Sequence, residues 1–246
     1  GIHRSLRLQC RTLSRQGQIN VATAGVLGGL GPAATVDFMS RVLDRTEADC
    51  DQDHIRLLVD HNPSVPNRHR ALAGEIPSVG PLLADMARGL ERAGADFLVM
   101  VCNTAHAYSD EIHAAVDIPF HSIIDVTVAA LGETPRSVGV MAADGCLRTG
   151  LYQQALAAAG HEALTWDDAE LERFMGLVYR VKAGERDPDI AEGMTALAAS
   201  LAFAGADTLV AGCTEIPLVL SGPVAGLPLL SSTDLLVDHT IALARA

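Results

Sequence analysis

From residue 23 onward, short runs of strand-forming residues alternate with longer stretches whose apolar positions recur every three or four residues. Residues 23–27, 55–59, 97–101, 120–122, 137–141 and 209–211 read as strands. Helices are predicted from Pro32 to about residue 46, then near 78–93, 105–115, 125–131, 147–159 and 169–182. A further helix begins at Pro188, with Ile190, Met194, Leu197 and Leu201 on one face, and the tail from Thr233 is helical. Pro32 and Pro188 stand at first helical positions, where a missing N–H costs nothing, and Asp187 is the expected cap of the second. The stretch 61–76, with its Pro and Asn residues, reads as a loop. Strands alternating with helices predict an α/β protein whose parallel sheets are covered on both faces.

The pattern repeats itself. Residues 93–102 read Ala-Gly-Ala-Asp-Phe-Leu-Val-Met-Val-Cys, and 204–213 read Ala-Gly-Ala-Asp-Thr-Leu-Val-Ala-Gly-Cys, 111 positions later. Gly25-Val26-Leu27 matches Gly139-Val140-Met141 at an offset of 114, and Ile118-Pro119 with Asp125 matches Leu227-Pro228 with Asp234 at 109. Three ordered matches at nearly one offset predict an internal duplication and two similar doubly wound domains.

The repeat carries a cysteine at the same place in each copy. Cys102 and Cys213 each close an apolar strand and precede helix-starting residues, Asn103-Thr104 and Thr214-Glu215. The carboxyl end of a parallel strand is where open α/β sheets bind ligands. A helix amino end there is expected to lower a thiol pKa. Two such thiols facing one cleft can take a proton from one side of a carbon and return one to the other, which is racemase chemistry. A single free cysteine is more often a small buried hydrophobe, and that reading is applied to Cys10, Cys50 and Cys146. A zinc site is not expected, since His54, His61, His69, His106 and His113 match no zinc spacing around the cysteines.

Bulk composition narrows the partners. The 246 residues are 49% hydrophobic and 20% charged, which is globular, and the formal charge of −12 argues against nucleic acid or an anionic membrane surface. The uncharged apolar run 193–206 ends at Asp207 and is too short to span a bilayer. Five cysteines with no C-x-x-C pair predict free thiols in the cytoplasm. Residues 1–22 hold Arg4, Arg7, Arg11 and Arg15 and no acid, and read as a disordered lead or an extension upstream of the true start.

These residues resemble a known family. Cys102-Asn103-Thr104-Ala105-His106 and Gly212-Cys213-Thr214-Glu215 look like the two signature motifs of the PLP-independent aspartate/glutamate racemases. Gly28-Gly29-Leu30-Gly31-Pro32 resembles that family's glycine loop, Asn62-Pro63 with Pro66 and Arg68 its substrate loop, and 179–184 the stretch holding its substrate lysine, here Lys182. The resemblance covers about 24–244.

It implies a first domain of 23–131 joined by a returning C-terminal segment, 232–246, and a second of 132–231, with the active site between them. It also implies catalysis by Cys102 and Cys213 on aspartate or glutamate, with no PLP or metal, in a homodimer. Asn62, Arg68, Asn103, Thr104, Ala105, Lys182 and Thr214 would hold the substrate, and His106 and Glu215 would tune the thiols or serve packing. Arg68 and Lys182 suit two carboxylates. Ala143 and Cys146 stand where threonines are frequent in the family, and Asn67 where an aspartate is, which leaves the substrate open.

Maleate isomerase-like and arylmalonate decarboxylase-like enzymes of the same superfamily, and a broad-specificity racemase, are the rival enzymes. A two-lobed ligand-binding protein is the rival outside catalysis, and the paired cysteines argue against it.

Overall fold

The protein is described here by a computed structural model covering residues 21–246. β1 (Ala24–Gly28) is buried throughout and pairs in parallel with β2 (Leu57–His61) on one side and β3 (Phe97–Met100) on the other. β4 (Phe120–His121) lies beyond β3, giving the order β2-β1-β3-β4. The second sheet repeats this order with β6 (Glu162–Leu164), β5 (Ser137–Ala142), β7 (Thr208–Gly212) and β8 (Leu229–Ser231), again all parallel. The edge strands β6 and β8 were not anticipated, and β2 starts two residues later than expected. Each lies at or near a sheet edge, is short or half-exposed, and lacks a long apolar run.

The duplication extends to individual contacts. A Cβ on Gly25 would lie 2.5 Å from Leu98 and 2.8 Å from Ala95, with Leu90 next. On Gly139 it would meet Leu209 at 2.7 Å, then Leu201 and Ala206, which are the same three positions displaced by 111. Both glycines are there because helix and strand pack directly on the backbone. Asp96 accepts from Thr23 N at 2.6 Å, and Asp207 from Ser137 N at 3.0 Å. Leu98 N donates to Pro119 O and Leu209 N to Pro228 O, at 2.7 and 2.9 Å.

The helices follow in order. α1 (Pro32–Arg45) starts at the predicted proline. The expected loop 61–76 contains a helix, α2 (Arg68–Leu72), whose cap Asn67 accepts from His69 N and Arg70 N. α3 (Gly80–Arg92) is as expected, but the next predicted helix is a 3-10 turn, Thr104–Tyr108, followed by α4 (Ser109–His113). α5 (Ile123–Ala129) follows, and the stretch 147–159 divides into α6 (Asp144–Arg148) and α7 (Leu151–Ala158). α8 (Asp168–Lys182) and α9 (Pro188–Phe203) form as predicted. Asp187 makes no capping bond, because it faces Arg180 at 3.6 Å instead.

One apolar cluster includes Val26 and Val99 of the first sheet, Val140 and Val210 of the second, and Leu236 of α10 (Ser232–Ala244). A second, with Leu27, Leu83, Leu98 and Met100, covers the opposite face of the first sheet. α10 runs against α1 and α5 and is tied to α1 by Arg41–Asp234 at 2.8 Å and Arg45–Asp238 at 3.0 Å. The chain's last element thus lies among helices of the first sheet.

Of the predicted lead, residues 1–20 lie outside the described residues, and Cys10 with them. Val21 and Ala22 are half-buried, and Ala22 N donates to Ala244 O at 2.9 Å. Cys146 is fully buried as expected. Cys50 departs from expectation: it is half-buried beside Asp51 and Asp53 and is not among the free thiols. Among the described residues, no helix is long and apolar enough to cross a membrane.

Candidate active site

The two sheets bring the carboxyl ends of β3 and β7 to one narrow cavity, partly open to solvent. Cys102 and Cys213 both line it, each more than nine-tenths buried. Arg68, Asn103, Thr104, Lys182, Thr214 and Glu215 join them in the lining. Sequence reasoning had named all of these.

Arg68 projects from the short helix capped by Asn67. Its terminal nitrogens donate to the carbonyls of Val65, at 3.1 Å, and of Pro66 and Leu30. Its Nε is buried without a partner. Backbone dipoles hold the guanidinium, and among the described residues no carboxylate neutralises it, so the cavity lining carries an uncompensated positive charge that suits an anion.

Lys182, the chain's sole lysine, ends α8 and is bonded to the Glu215 carboxylate. The other Glu215 oxygen accepts from the Cys213 thiol at 3.1 Å and from Thr214 Oγ1 at 3.3 Å. Burial opposes the Lys182 charge, but Glu215 and the two cysteines outweigh it and raise its pKa. Burial would raise the Glu215 pKa, yet Lys182 and the surrounding donors bring it below its ordinary value. Both groups are therefore charged at neutral pH. Gly31 makes room for the pair, since a Cβ there would lie 2.5 Å from a Glu215 oxygen.

The expectation of a helix-lowered pKa fails for Cys213. Burial pushes its thiol well up, the Glu215 charge adds to this, and Lys182 only partly opposes it. The element after it is a three-residue 3-10 turn, Ile216–Leu218, too short for a substantial dipole. Cys213 is a protonated thiol whose hydrogen is directed at a carboxylate.

Three expected site residues make contacts away from the two thiols. His106 Nε2 accepts from Ile123 N at 3.1 Å, which leaves Nδ1–H to donate to Cys102 O at 2.8 Å. Burial lowers its pKa to about 4, so a neutral ring braces the Cys102 backbone and does not touch the thiol. Asn62 accepts from Ser64 in the turn after β2 and lies outside the cavity lining. Ala105 is fully buried in the second apolar cluster.

Asn103 lines the cavity, but its side-chain amide is committed. It accepts from Tyr152 Oη at 2.8 Å and donates to Ser232 Oγ at 3.1 Å, and Ser232 donates to Ala211 O at 2.7 Å. This strut joins the residue after Cys102 to the strand that ends at Cys213.

Four lining residues were absent from the expected set of site residues: Leu30, His69, Ala143 and Val178. His69 follows Arg68, inside what read as a loop and had been weighed only as a zinc ligand. Val178 reaches the cavity from α8 because the tertiary fold turns that helix toward it. Ala143 also lines the cavity, presenting a methyl group where a threonine would offer a hydroxyl. Cys146, the other departure, is buried outside the lining, and burial raises its thiol pKa. Among the described residues, no cluster of three or more His, Cys, Asp or Glu is arranged to hold a metal.

Paired parallel sheets of identical order, with a cysteine at the matching strand end of each copy, define a duplicated α/β protein with a two-thiol cleft. Residues 27–240 match the model of the Asp/Glu/hydantoin racemase family, and the chain belongs to that family of isomerases. It is 25% identical over 225 residues to the broad specificity amino-acid racemase RacX of Bacillus subtilis, covering 89% of this chain and 96% of that one. It is 30% identical over 148 residues to a glutamate racemase of Corynebacterium diphtheriae, which is 58% of this chain and 54% of that protein. The aspartate racemase of Picrophilus torridus superposes with a TM-score of 0.81 at 26% identity, over 91% of this chain and 94% of that one.

Proposed function

We propose that the protein racemises an acidic amino acid, aspartate or glutamate, using Cys102 and Cys213 as opposed base and acid. The observation that carries this reading is the meeting of the two repeat-related thiols in one cavity beside an Arg68 that no carboxylate neutralises. The Cys102 thiolate removes the Cα proton, and the Cys213 thiol, already hydrogen-bonded, delivers a proton to the opposite face. The product leaves with the two protonation states exchanged, so the other enantiomer is taken by the reverse route. Arg68 binds one substrate carboxylate, and the Thr104 and Thr214 corner of the cavity holds the other.

The reaction needs neither PLP nor metal. Lys182, the sole lysine, is protonated in its pair with Glu215 and is not a free amine for an imine. The enzyme works as a homodimer in the cytoplasm, which sedimentation and fractionation test. A broad-specificity racemase is the second reading. The engagement of Lys182 by Glu215 favours it, since that leaves Arg68 as the cavity's main unneutralised cation, and so does the likeness to RacX.

The test is incubation in D₂O, without cofactor and with chelator, with each enantiomer of aspartate, glutamate and alanine. Loss of the Cα–H signal with racemisation of the acidic pairs alone is expected. Equal rates on alanine would select the broad-specificity reading, and no exchange on any would reject both.

A further inference from the structure

We infer that His69 is a specificity-determining residue, a fixed N–H donor that binds a substrate carboxylate beside Arg68. This rests on the reading of the cavity as an acidic amino-acid site. His69 lies at the start of α2, a helix that packs on α6 from the other half of the chain. Its Nδ1 accepts the backbone N–H of Gly145 in α6 at 3.0 Å. A backbone N–H can only donate, so the ring hydrogen is placed on Nε2. Among the described residues Nε2 has no hydrogen-bond partner, and the ring lines the cavity.

The contact is built closely. A Cβ on Gly145 would stand 2.9 Å from Nδ1, so a larger residue there would displace the imidazole. The charged groups around the ring are Arg68 on its own helix, Lys182 on α8, Asp144 on α6 and Glu215 after β7. Burial and the two cations bring the His69 pKa to about 4, against the weaker pull of the two carboxylates. The imidazole therefore stays neutral through the range where a free one titrates and offers the same N–H throughout. With Lys182 held by Glu215, the cavity offers an incoming carboxylate two further donors beside the threonines, the Arg68 guanidinium and His69 Nε2. One is charged and buried, the other neutral and hinged to the opposite half.

Succinate, a dicarboxylate with no amine and no stereocentre, probes this without requiring turnover. Calorimetry compares the wild type with His69→Asn and His69→Gln. Asn retains an acceptor near Nδ1 and loses the Nε2 donor; Gln retains a donor near Nε2 and loses the acceptor. His69→Asn is expected to weaken succinate about 10- to 100-fold, the range for one hydrogen bond to a charged group, and His69→Gln only a few-fold. In turnover the Asn change should appear in KM more than in kcat, and wild-type affinity should be flat from pH 6 to 8. An Asn variant that binds like the wild type, a Gln variant as weak as the Asn one, or a wild type that takes up no succinate would overturn the assignment. Succinate binding that follows this pattern in a protein with no racemase activity would leave the donor in place and remove the racemase reading.

Discussion

The two strand ends that carry Cys102 and Cys213 share a backbone frame and differ in almost everything that touches the sulfur. Up to the thiol the copies agree in strand order, in the glycine beneath the helix, in the aspartate that closes the strand start and in the proline carbonyl on the neighbouring strand. Beyond it they part. Cys102 is followed by Asn103, locked to Tyr152 and Ser232, and its carbonyl is held by a neutral His106. Cys213 is followed by Glu215, which places a carboxylate on the thiol and a lysine behind it. Duplication supplied two equivalent positions, and the residues after each strand made one end neutral and rigid and the other charged. A racemase gains from such asymmetry, because one thiol must enter the reaction protonated while the other does not.

The largest effect expected from breaking the pair is on rate. Cys102→Ser and Cys213→Ser should each cut racemisation about 10²- to 10⁴-fold, the usual share of general acid–base catalysis. Each variant should still exchange the Cα proton of one enantiomer, and the two should differ in which one. Racemisation surviving in both would end the two-thiol mechanism.

Lys182→Met strands the Glu215 carboxylate, which is 5% exposed, and should cost about 3–5 kcal/mol, the range for breaking a buried pair. Urea denaturation measures it; a loss under about 1 kcal/mol would mean the carboxylate finds water. The pH dependence has a defined sign. Glu215 is held below its ordinary pKa, so its contribution is present above about pH 4.3 and lost as pH falls through the folded value. Lys182 is held above its ordinary pKa, so its contribution is present below about pH 10.4 and lost as pH rises through the folded value. The stability gap between wild type and Lys182→Met should therefore narrow as pH falls, starting above the ordinary carboxyl range, because the stranded Glu215 takes up a proton more readily than a free one. It should close on the acid side.

Glu215→Gln sharpens the contrast between the thiols. Removing the negative charge beside Cys213 should lower its pKa, because Lys182 then acts unopposed. Thiolate absorbance near 240 nm in a Cys102→Ser background reads this directly, and an unmoved midpoint would deny Glu215 its role in holding the proton.

The shared frame has its own test. Gly25→Ala and Gly139→Ala force a methyl into contacts of 2.5 and 2.7 Å, and each should cost about 1–3 kcal/mol. Losses of similar size in the two variants support an equivalent frame, whereas a loss at only one would show that the copies have diverged in their packing. Tyr152→Phe leaves Asn103 Oδ1 without its donor at a smaller cost of about 1 kcal/mol, and should affect rate through thiol placement.

The alternation of strands and helices, the duplication and the positions of both cysteines could be read directly from the sequence, because each rests on a local pattern of period or repeat. Runs of apolar residues mark buried parallel strands, and a repeated Ala-Gly-Ala-Asp turn marks the same helix-to-strand joint twice. Arg68, Lys182 and Glu215 were legible as candidate site residues through their motifs, and all three line the cavity, but their partners were not legible. That Lys182 binds Glu215, that Cys213 gives its hydrogen to the same carboxylate, and that His106 serves the backbone all depend on groups brought together from distant segments. The helix α2 was hidden because five residues are too few to show a period, even with Asn67 to cap it.

The amino-acid sequence by itself determined the α/β alternation, the kinship of the two halves and the thiol at the end of one strand in each, since all of these are written as local periods or as a repeat. Only the tertiary structure decided that Cys213 keeps its proton, that Lys182 is neutralised while Arg68 is not, and that His69 faces the cavity. Those properties are set by burial and by charges across the cleft, at distances a one-dimensional pattern does not contain.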